Sequence, residues 1–301
     1  MKRILVTGAA GFIGKNLMYM FKEKGYTVVG WDCIETIGED IKIKSIDLAN
    51  KEAVRNELKE FIPDILIHCA GSADIAKSVR NPESDFRGNV ILTHNILFAI
   101  HELNLTNVRF LFLSSAGVYG NPISLPIKEN MSLNPLSPYA LHKVMCEEVC
   151  KFFAYNYGMD IKIARVFSAY GKGLRKQIFW DMYKKVGETG KLEMFGSGKE
   201  SRDYIHIVDV INALFLIATT EANDLIYNVA NGEEVTIREA TMMFAKAADI
   251  DISNIKFTGT IREGDPINWR ADISRIQSLG YEKTIKMEQG VRDYYEWAKA
   301  Q

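Results

Sequence analysis

The chain has little of several features that would narrow its function at once. Its 301 residues include only four cysteines, and the 37 Lys and Arg residues balance the 38 Asp and Glu residues to within one charge. Balanced charge gives no broad basic surface, so nucleic acid is not an expected partner. The longest apolar run, residues 213–218, is far shorter than the ~18 residues of a membrane-spanning helix, so no membrane partner is expected either.

The few cysteines do not form a pattern. They stand at positions 33, 69, 146 and 150, and their number and spacing do not suggest a disulfide framework. The first three residues are followed by too few apolar residues for a signal peptide, so a cytoplasmic location is predicted. His142, Cys146 and Cys150 follow one helical face, but no fourth ligand lies within sequence reach. An ordinary helix face is favoured there, and no metal is expected.

The first half of the chain alternates short apolar runs with helical stretches. The apolar runs are continuous rather than alternating, which is typical of parallel strands buried on both faces. Short crossovers between them predict a doubly wound α/β fold with a parallel Rossmann sheet. The predicted strands are 3–7, 27–31, 43–46, 65–69, 109–113 and 161–166, and the predicted helices are 13–24, 52–61, 84–103 and 137–157.

The pattern changes after Gly171, where elements become shorter and glycines lie closer together. We expect residues 1–171 to form the Rossmann domain and residues 172–301 to form mainly a smaller C-terminal α/β substrate lobe. A helix at 207–220 and a strand at 226–229 are apolar enough to join the main sheet. Residues 205–231 are therefore expected to return to the first domain.

A glycine-rich loop, TGAAGFIG at residues 7–14, follows the first predicted strand and opens the first predicted helix. Glycine permits a tight turn and a close approach of backbone to phosphate, and the helix N-terminus offers free N–H groups to a pyrophosphate. The spacing is G-x-x-G-x-x-G, and the strand–turn–helix context makes the match specific. The residues predicted to contact a dinucleotide are Gly8, Gly11, Phe12, Ile13 and Gly14.

Acidic residues follow the second and third strands. Asp32 can accept hydrogen bonds from the adenosine ribose and would repel a 2′-phosphate, and the next three residues supply no base. This favours NAD over NADP, although Asp32 could also be an ordinary strand-end turn residue. Asp47 and Leu48 are predicted to lie at the adenine, with a place near a helix N-cap as the alternative for Asp47.

Tyr139 and Lys143 are spaced to share one face of the predicted helix 137–157. A tyrosine hydroxyl is a poor base until a neighbouring positive charge stabilises the phenolate. Such a pair is common on helix surfaces, but Ser114 and Ser115 follow the fifth strand, where a doubly wound fold meets its ligand. One serine could therefore hydrogen-bond the same substrate oxygen as Tyr139.

With these motifs in order, the chain resembles the extended short-chain dehydrogenases/reductases, and within them the sugar-nucleotide epimerase/dehydratase family. The resemblance covers nearly the whole chain. It is carried by TGAAGFIG (7–14), Asp32, HCAG (68–71), Asn89, SSAGVYG (114–120), PYALHK (138–143), ARVFSAYG (164–171), SRDYIHIVDV (201–210) and REGD (262–265).

The resemblance implies roles for particular residues. Tyr139 would be the acid/base, Ser115 the catalytic serine, and Lys143 the partner of Tyr139 on the nicotinamide ribose of NAD. It also implies a nucleotide-diphosphate sugar as substrate and a homodimer formed through helices 84–103 and 137–157. Further implied contacts are Ala70, Gly71, Asn89 and Ser114 to the cofactor, and Ser168, Arg202 and Arg262 to the nucleotide sugar.

The same resemblance narrows the reaction. Family dehydratases carry an Asp-Glu pair where this chain has Ala116-Gly117, so 4-epimerisation through a 4-keto intermediate is predicted. The alternative is NAD(P)H-dependent reduction of a nucleotide-linked 4-keto-6-deoxy sugar. A cofactor-binding protein without chemistry is a further alternative, which the intact Ser115, Tyr139 and Lys143 disfavour. Departures from the family pattern at Ser168, at Leu92 and in the basic segment 173–177, with Arg175 and Lys176, leave the sugar open.

Overall fold

The computed structural model describes residues 2–34, 36–37, 41–221, 223–260 and 266–301. Its strands are β1 Arg3–Thr7, β2 Thr27–Asp32, β3 Thr36–Ile37, β4 Lys42–Ser45, β5 Ile65–His68, β6 Arg109–Ser115, β7 Ile161–Val166, β8 Ser168–Tyr170, β9 Leu192–Met194, β10 Ser201–Arg202, β11 Tyr204–His206, β12 Ile226–Val229, β13 Val235–Thr236 and β14 Ile255–Phe257.

The helices alternate with these strands through the first half of the chain. They are α1 Phe12–Glu23, α2 Lys51–Glu60, α3 Ile75–Arg80, α4 Pro82–Phe86, α5 Leu92–Glu102, α6 Pro138–Tyr157, α7 Gln177–Thr189, α8 Ile207–Thr219, α9 Ile237–Ala248, α10 Ser274–Ser278 and α11 Met287–Lys299, with a π-helical turn at Arg87–Ile91 and 3₁₀ turns at Ala116–Tyr119 and Ile252–Asn254.

A central sheet organises the described residues, with strand order β12-β7-β6-β5-β1-β2-β4-β3. Its strands pair in parallel except for the short edge strand β3, which runs antiparallel to β4. The predicted doubly wound parallel fold is confirmed. The strand order reverses between β1 and β5, and ligands of such sheets bind at the carboxyl ends of the strands at this reversal.

Both faces of the sheet are buried, which explains the continuous apolar strands. In β1, Ile4 and Val6 pack with α1 and α8, whereas Leu5 between them packs with α2 and α5 on the other face. Successive side chains of a strand point to opposite faces, so a doubly covered strand is apolar at consecutive positions rather than at alternate ones.

Helix α6 has clear start and stop signals. Ser137 is its N-cap and accepts a hydrogen bond from the backbone N–H of Ala140, Pro138 occupies the first turn, and Gly158 ends the helix at φ +65°. Serine caps satisfy a free N–H of the first turn, and glycine adopts the left-handed conformation that ends a helix. The prediction of a helix over 137–157 is confirmed.

The helix predicted over 84–103 is confirmed, and in the structure it begins at Pro82 and ends at Glu102. It runs without a break through α4, a π-helical turn at Arg87–Ile91 and α5, because the junction residues Phe86 and Leu92 keep right-handed helical dihedral angles. Asn81 begins α4 by accepting a hydrogen bond from the backbone N–H of Ser84, and Pro82 occupies the first turn. A π turn inserts one residue into the helical repeat and is often found at functional sites. It lies opposite the carboxyl end of β5 and contains Asn89.

The C-terminal part builds a separate apolar cluster from α7, α9 and α11, with Phe179, Phe244 and Tyr294 at its centre. Phe12 at the start of α1 packs against both this cluster and the central one. Strand β12 pairs with β7 inside the central sheet. The division of the chain into two domains at Gly171 stays a prediction.

No helix in the described part of the chain is both long and apolar enough to cross a membrane.

Candidate active site

The loop between β1 and α1 requires glycine at two of its three glycine positions. Gly8 has φ +65°, and a Cβ there would lie 2.6 Å from the backbone nitrogen of Ala70. A Cβ on Gly14 would lie 2.2 Å from the carbonyl oxygen of Gly8. Gly11 is the N-cap of α1 and has no capping side chain, so the first-turn N–H groups of α1 can bind an anion. The loop therefore fits the pyrophosphate of a dinucleotide.

Asp32 lies beside this loop at the end of β2. Its Oδ2 accepts a hydrogen bond from the backbone N–H of Ala10 at 2.9 Å, and its Oδ1 accepts one from the N–H of Cys33 at 2.8 Å. The half-buried carboxylate thus ties the loop to β2 and keeps further acceptor lone pairs for a ribose.

Asp47 and Leu48 lie between β4 and α2. Asp47 is exposed and accepts a hydrogen bond from the N–H of Ala49 at 2.9 Å, while Asn50 is the N-cap of α2. The side chain of Leu48 is buried in the core, and its carbonyl oxygen accepts a hydrogen bond from Asn95 Nδ2 at 3.0 Å. Their contact with the adenine stays a prediction.

A buried hydrogen-bonded chain joins β1 and β5 where the strand order reverses. Thr7 Oγ1 and His68 Nδ1 lie 2.7 Å apart, and His68 Nε2 lies 3.2 Å from Thr93 Oγ1. Burial lowers the pKa of His68 to about 3, so its ring is neutral. The N–H of Ala70 donates to Thr7 Oγ1 at 3.3 Å. These hydrogen bonds position the backbone at Ala70, which the resemblance assigns to the cofactor.

Asn89 and Gly71 meet beside this chain. Asn89 is buried, and its Nδ2 donates to the carbonyl oxygen of Asp85 at 3.0 Å. Its Oδ1 has no hydrogen-bond partner in the described part of the chain, and a Cβ on Gly71 would lie 2.6 Å from that oxygen. A buried acceptor without a donor is costly unless a bound group supplies one. These residues therefore fit the cofactor that the sequence predicts.

The structure brings Tyr139, Lys143 and Ser115 to the carboxyl edge of β6. Lys143 is buried; its Nζ donates to the carbonyl oxygen of Leu113 at 3.0 Å and lies 6.0 Å from the ring centre of Tyr139. Ser115 Oγ accepts a hydrogen bond from the N–H of Gly117 at 3.1 Å. Tyr139 and Ser115 are both half-buried, so a ligand can reach them.

Ser114 points elsewhere. Its buried hydroxyl donates to Glu147 Oε1 at 2.6 Å, and Glu147 forms a two-point ion pair with Arg165 at 2.6 and 2.9 Å. Burial opposes the charge of Arg165, but Glu147 outweighs it and raises the pKa of the guanidinium. The side chain of Ser114 is thus part of the scaffold, and its contact with the cofactor stays a prediction.

Sequence reasoning missed this buried ion pair. Arg165 Nη1 also donates to Tyr119 Oη at 2.8 Å, and Tyr119 Oη donates to Asn228 Oδ1 at 2.7 Å, so the network joins β6, β7 and β12. Two signals were present. Glu147 continues the helical spacing of Tyr139 and Lys143 by one more turn, and a charged residue inside an apolar strand needs a partner.

Of His142, Cys146 and Cys150 on one face of α6, the first two have partners on other helices. His142 Nδ1 pairs with Asp85 Oδ2 at 2.7 Å, and Thr93 Oγ1 lies 3.5 Å from Cys146 Sγ. Burial raises the pKa of Cys146, and that of Cys150 well above its ordinary value. Within the described ranges, no group of three or more His, Cys, Asp or Glu residues is arranged to hold a metal ion.

Two of the residues predicted to bind the nucleotide sugar, Ser168 and Arg202, lie in small two-stranded sheets outside the central sheet. Ser168 is half-buried in β8, which pairs with β11. Arg202 in β10 donates to the carbonyl oxygen of Ser201 at 2.8 Å, and its guanidinium lies 5.5 Å from the ring centre of Trp269. Arg262 lies outside the described residues.

The basic segment 173–177 lies just before α7. Arg175 is exposed and donates to Gln301 Oε1 at 2.5 Å, and Lys176 is the residue before α7. The structure thus gives Arg175 a partner at the C-terminal residue of the chain.

Asp203 anchors the strand that carries Arg202. It is fully buried, and it accepts hydrogen bonds from the N–H groups of Asn231, Gly232 and Ala271 at 2.9, 2.9 and 3.0 Å. Burial raises the pKa of Asp203 to about 7, against the effect of these donors. One carboxyl group therefore holds two backbone segments, at 231–232 and at 271, beside Arg202.

Comparison with known proteins agrees with this geometry. Residues 4–230 match the model of the "NAD dependent epimerase/dehydratase family". A putative UDP-glucose 4-epimerase of Methanocaldococcus jannaschii is 32% identical over 98% of both chains. A GDP-6-deoxy-D-mannose reductase of Pseudomonas aeruginosa is 26% identical over 97% of this chain and 95% of its own.

Among solved structures, UDP-glucuronic acid 4-epimerase from Bacillus cereus, in complex with UDP-glucuronic acid and NAD, has a TM-score of 0.89. It is 26% identical, over 99% of both chains. The resemblance, the enzyme class and the NAD cofactor predicted from the sequence are confirmed. The chain is an enzyme that belongs to the NAD dependent epimerase/dehydratase family.

Proposed function

We propose that the protein inverts C4 of a UDP-linked sugar through a transient 4-keto intermediate. The observation that carries the proposal is the meeting of Tyr139, Lys143 and Ser115 at the carboxyl edge of β6. The absence of acidic side chains at Ala116 and Gly117 and the named 4-epimerases among its relatives support epimerisation over dehydration.

Each of the three side chains has a separate task. The Tyr139 phenolate takes the proton of the C4 hydroxyl and later returns it. Ser115 Oγ uses an acceptor lone pair on the Gly117 N–H, which leaves its own O–H to donate to the developing carbonyl oxygen. Lys143 donates one N–H to the carbonyl oxygen of Leu113 and has two more N–H groups to donate to the ribose and the phenolate.

Bound NAD would supply the acceptor and donor of the C4 hydride. The residues proposed to hold its pyrophosphate are those of the loop at 7–14, with Asp32 on the adenosine ribose. Asp47 and Leu48 are proposed at the adenine. The contacts proposed along the β5 edge and β6 are Ala70, Gly71, Asn89 and Ser114.

The sugar is proposed to turn over between the two hydride transfers while its diphosphate stays bound. Ser168, Arg202 and Arg262 are the proposed anchors. The two arginines are suited to this role because a guanidinium fork matches two anionic phosphates. Binding energy from the nucleotide end then holds the small reacting ring. In this proposal residues 1–171 and 205–231 bind the cofactor, and most of residues 172–301 bind the substrate.

We also propose a homodimer, with a second copy covering α5 and α6. Phe98 on α5 and Leu141, Met145 and Phe152 on α6 are exposed by 41, 42, 38 and 52%. The three α6 residues recur at helical spacing and form an apolar stripe. A contiguous exposed apolar face of this kind is typical of an interface. We propose a cytoplasmic location because all four cysteines are free thiols.

An activity assay tests this function. The purified protein is incubated with a panel of UDP-, dTDP- and GDP-sugars, with no cofactor added, and the products are measured. Interconversion of a UDP-sugar and its 4-epimer, lost in Tyr139→Phe, is the expected result. The reductase relative supplies a second candidate. Activity that strictly requires added NADH or NADPH and a 4-keto sugar would replace epimerisation by reduction. If wild type and Tyr139→Phe were equally inactive on every sugar, the protein would bind the cofactor without catalysing a reaction.

A further inference from the structure

The start of α6 is held by a segment that is distant in sequence. Ser78 on α3 is fully buried, and its Oγ donates to the carbonyl oxygen of Ile75 at 2.7 Å. The same Oγ accepts a hydrogen bond from the backbone N–H of Tyr139 at 3.1 Å, across 61 residues of sequence. The backbone of the proposed acid/base residue is therefore fixed by a side chain from another helix.

The first turn of α6 offers no replacement for this bond. First-turn N–H groups have no partner inside their own helix. Pro138 has no N–H, Ala140 donates to Ser137 Oγ at 3.3 Å, and Leu141 donates to the carbonyl oxygen of Ser137 at 2.9 Å. Ser137 thus accepts hydrogen bonds from Ala140 and Leu141. The N–H of Tyr139 donates to Ser78 Oγ instead.

Helix α3, which carries Ser78, is capped at its own start, and the chain beyond it is bonded to α6. Asp74 caps α3 by accepting a hydrogen bond from the N–H of Lys77 at 2.8 Å. Beyond Ser78, Asp85 on α4 pairs with His142 on α6 at 2.7 Å, and both side chains are buried. The segment begins three residues after Gly71, so one stretch of chain links the proposed cofactor edge to the turn of α6 that carries Tyr139.

We propose that Ser78 is a positioning residue that sets the place of Tyr139 relative to the cofactor edge; this rests on the proposed function. Proton transfer needs the phenol within hydrogen-bond reach of the C4 oxygen while C4 faces the nicotinamide. A shift of α6 by a fraction of an ångström slows the chemical step without removing any group that binds substrate. Ser78 therefore acts on the chemical step and leaves binding unchanged.

Ser78→Ala and Ser137→Ala form a matched pair, since each removes one hydroxyl that accepts from a first-turn N–H of α6. We expect kcat to fall about tenfold in Ser78→Ala, with KM and the amount of bound NAD within about twofold of wild type. The deuterium isotope effect on kcat, measured with a C4-deuterated UDP-sugar, should rise in Ser78→Ala. Ser137→Ala should keep kcat and the isotope effect within about twofold.

An equal fall of kcat in both variants, or an unchanged isotope effect in Ser78→Ala, would overturn the proposal. Ser78→Cys keeps a similar volume and is a weak acceptor, so it gives the same comparison if Ser78→Ala does not fold. The ¹³Cζ resonance of Tyr139, assigned with Tyr139→Phe, should move in the Ser78 variant only. The resonance reports the position of Tyr139 without any reaction. If no UDP-sugar is epimerised, the proposed function fails, but the resonance still tests the role of Ser78.

Discussion

The two sides of the candidate site are built differently. On the cofactor side, buried polar groups are bonded to one another across strands, as in Thr7–His68–Thr93 and in Ser114–Glu147–Arg165. On the proposed sugar side, Arg202 contacts a carbonyl oxygen and the face of an aromatic ring, and one carboxyl group, Asp203, ties the neighbouring backbone together. The first arrangement suits fixed chemistry, and the second suits recognition that changes among relatives.

The difference predicts which kinetic constant each side controls. Groups bonded into the sheet should affect kcat or the free energy of unfolding, because they hold reacting atoms or the scaffold under them. Groups on the proposed sugar side should affect KM, since they bind the diphosphate equally in ground and transition states. Four substitutions test this division.

Tyr139→Phe should have the largest effect. It removes the phenol that we propose as acid/base and keeps the ring, so kcat should fall by about 10³-fold with bound NAD and stability unchanged. Tyr155→Phe on the same helix is the matched control, because Tyr155 is 75% exposed. Steady-state epimerisation measures both; a Tyr139→Phe enzyme with near-normal kcat would remove the acid/base role.

Glu147→Gln should cost the most stability. It leaves the buried Arg165 guanidinium without its counter-charge, and breaking a buried ion pair in this way costs about 3 kcal/mol or more. Glu148→Gln is the control, since Glu148 lies next to it on α6 but its side chain is 62% exposed. Urea unfolding at pH 7 measures both free energies; equal losses would contradict the scaffold role of the pair.

His68→Gln should change how stability depends on pH. Burial lowers the pKa of His68 to about 3 in the folded protein from an ordinary 6.5, so the unfolded chain takes up the proton first as pH falls. The stabilising contribution is present above pH 6.5 and is lost towards pH 3. Its slope is about 1.4 kcal/mol per pH unit.

The carboxylates titrate alike in wild type and in His68→Gln. The difference between the two free energies of unfolding at each pH therefore reports the contribution of His68 alone. Urea unfolding between pH 7 and pH 5 should show the wild type losing more free energy than the variant. His94→Gln serves as the control, because His94 stacks on the exposed Phe98. Parallel pH profiles for wild type and His68→Gln would show that folding does not lower the pKa of His68.

Sequence reasoning succeeded where a residue type is demanded by local geometry. Gly8 and Gly14 stand where any side chain would strike backbone, and β1 is apolar from Ile4 to Val6 because both faces of the sheet are covered there. It missed Glu147–Arg165 although local signals for both residues were present. It could not find Asp203 or Ser78, since each acts through partners far away in sequence. Nor could it show that the hydroxyl of Ser114 points into the scaffold, because Ser114 and Ser115 differ only in the face of β6 they occupy.

Arg202→Lys should have the smallest of the four effects and should fall on KM. Lysine keeps the charge but loses the planar fork that can hold two phosphate oxygens and lie on the ring of Trp269. KM for the UDP-sugar should rise about tenfold, which is about 1.4 kcal/mol of binding, while kcat stays within about twofold. Arg238→Lys is the matched control, because Arg238 likewise lies over an aromatic ring, that of Phe257, but is not among the proposed anchors. If Arg202→Lys lowered kcat as strongly as it raised KM, Arg202 would act on the chemical step, and the division between the two sides of the site would fail there.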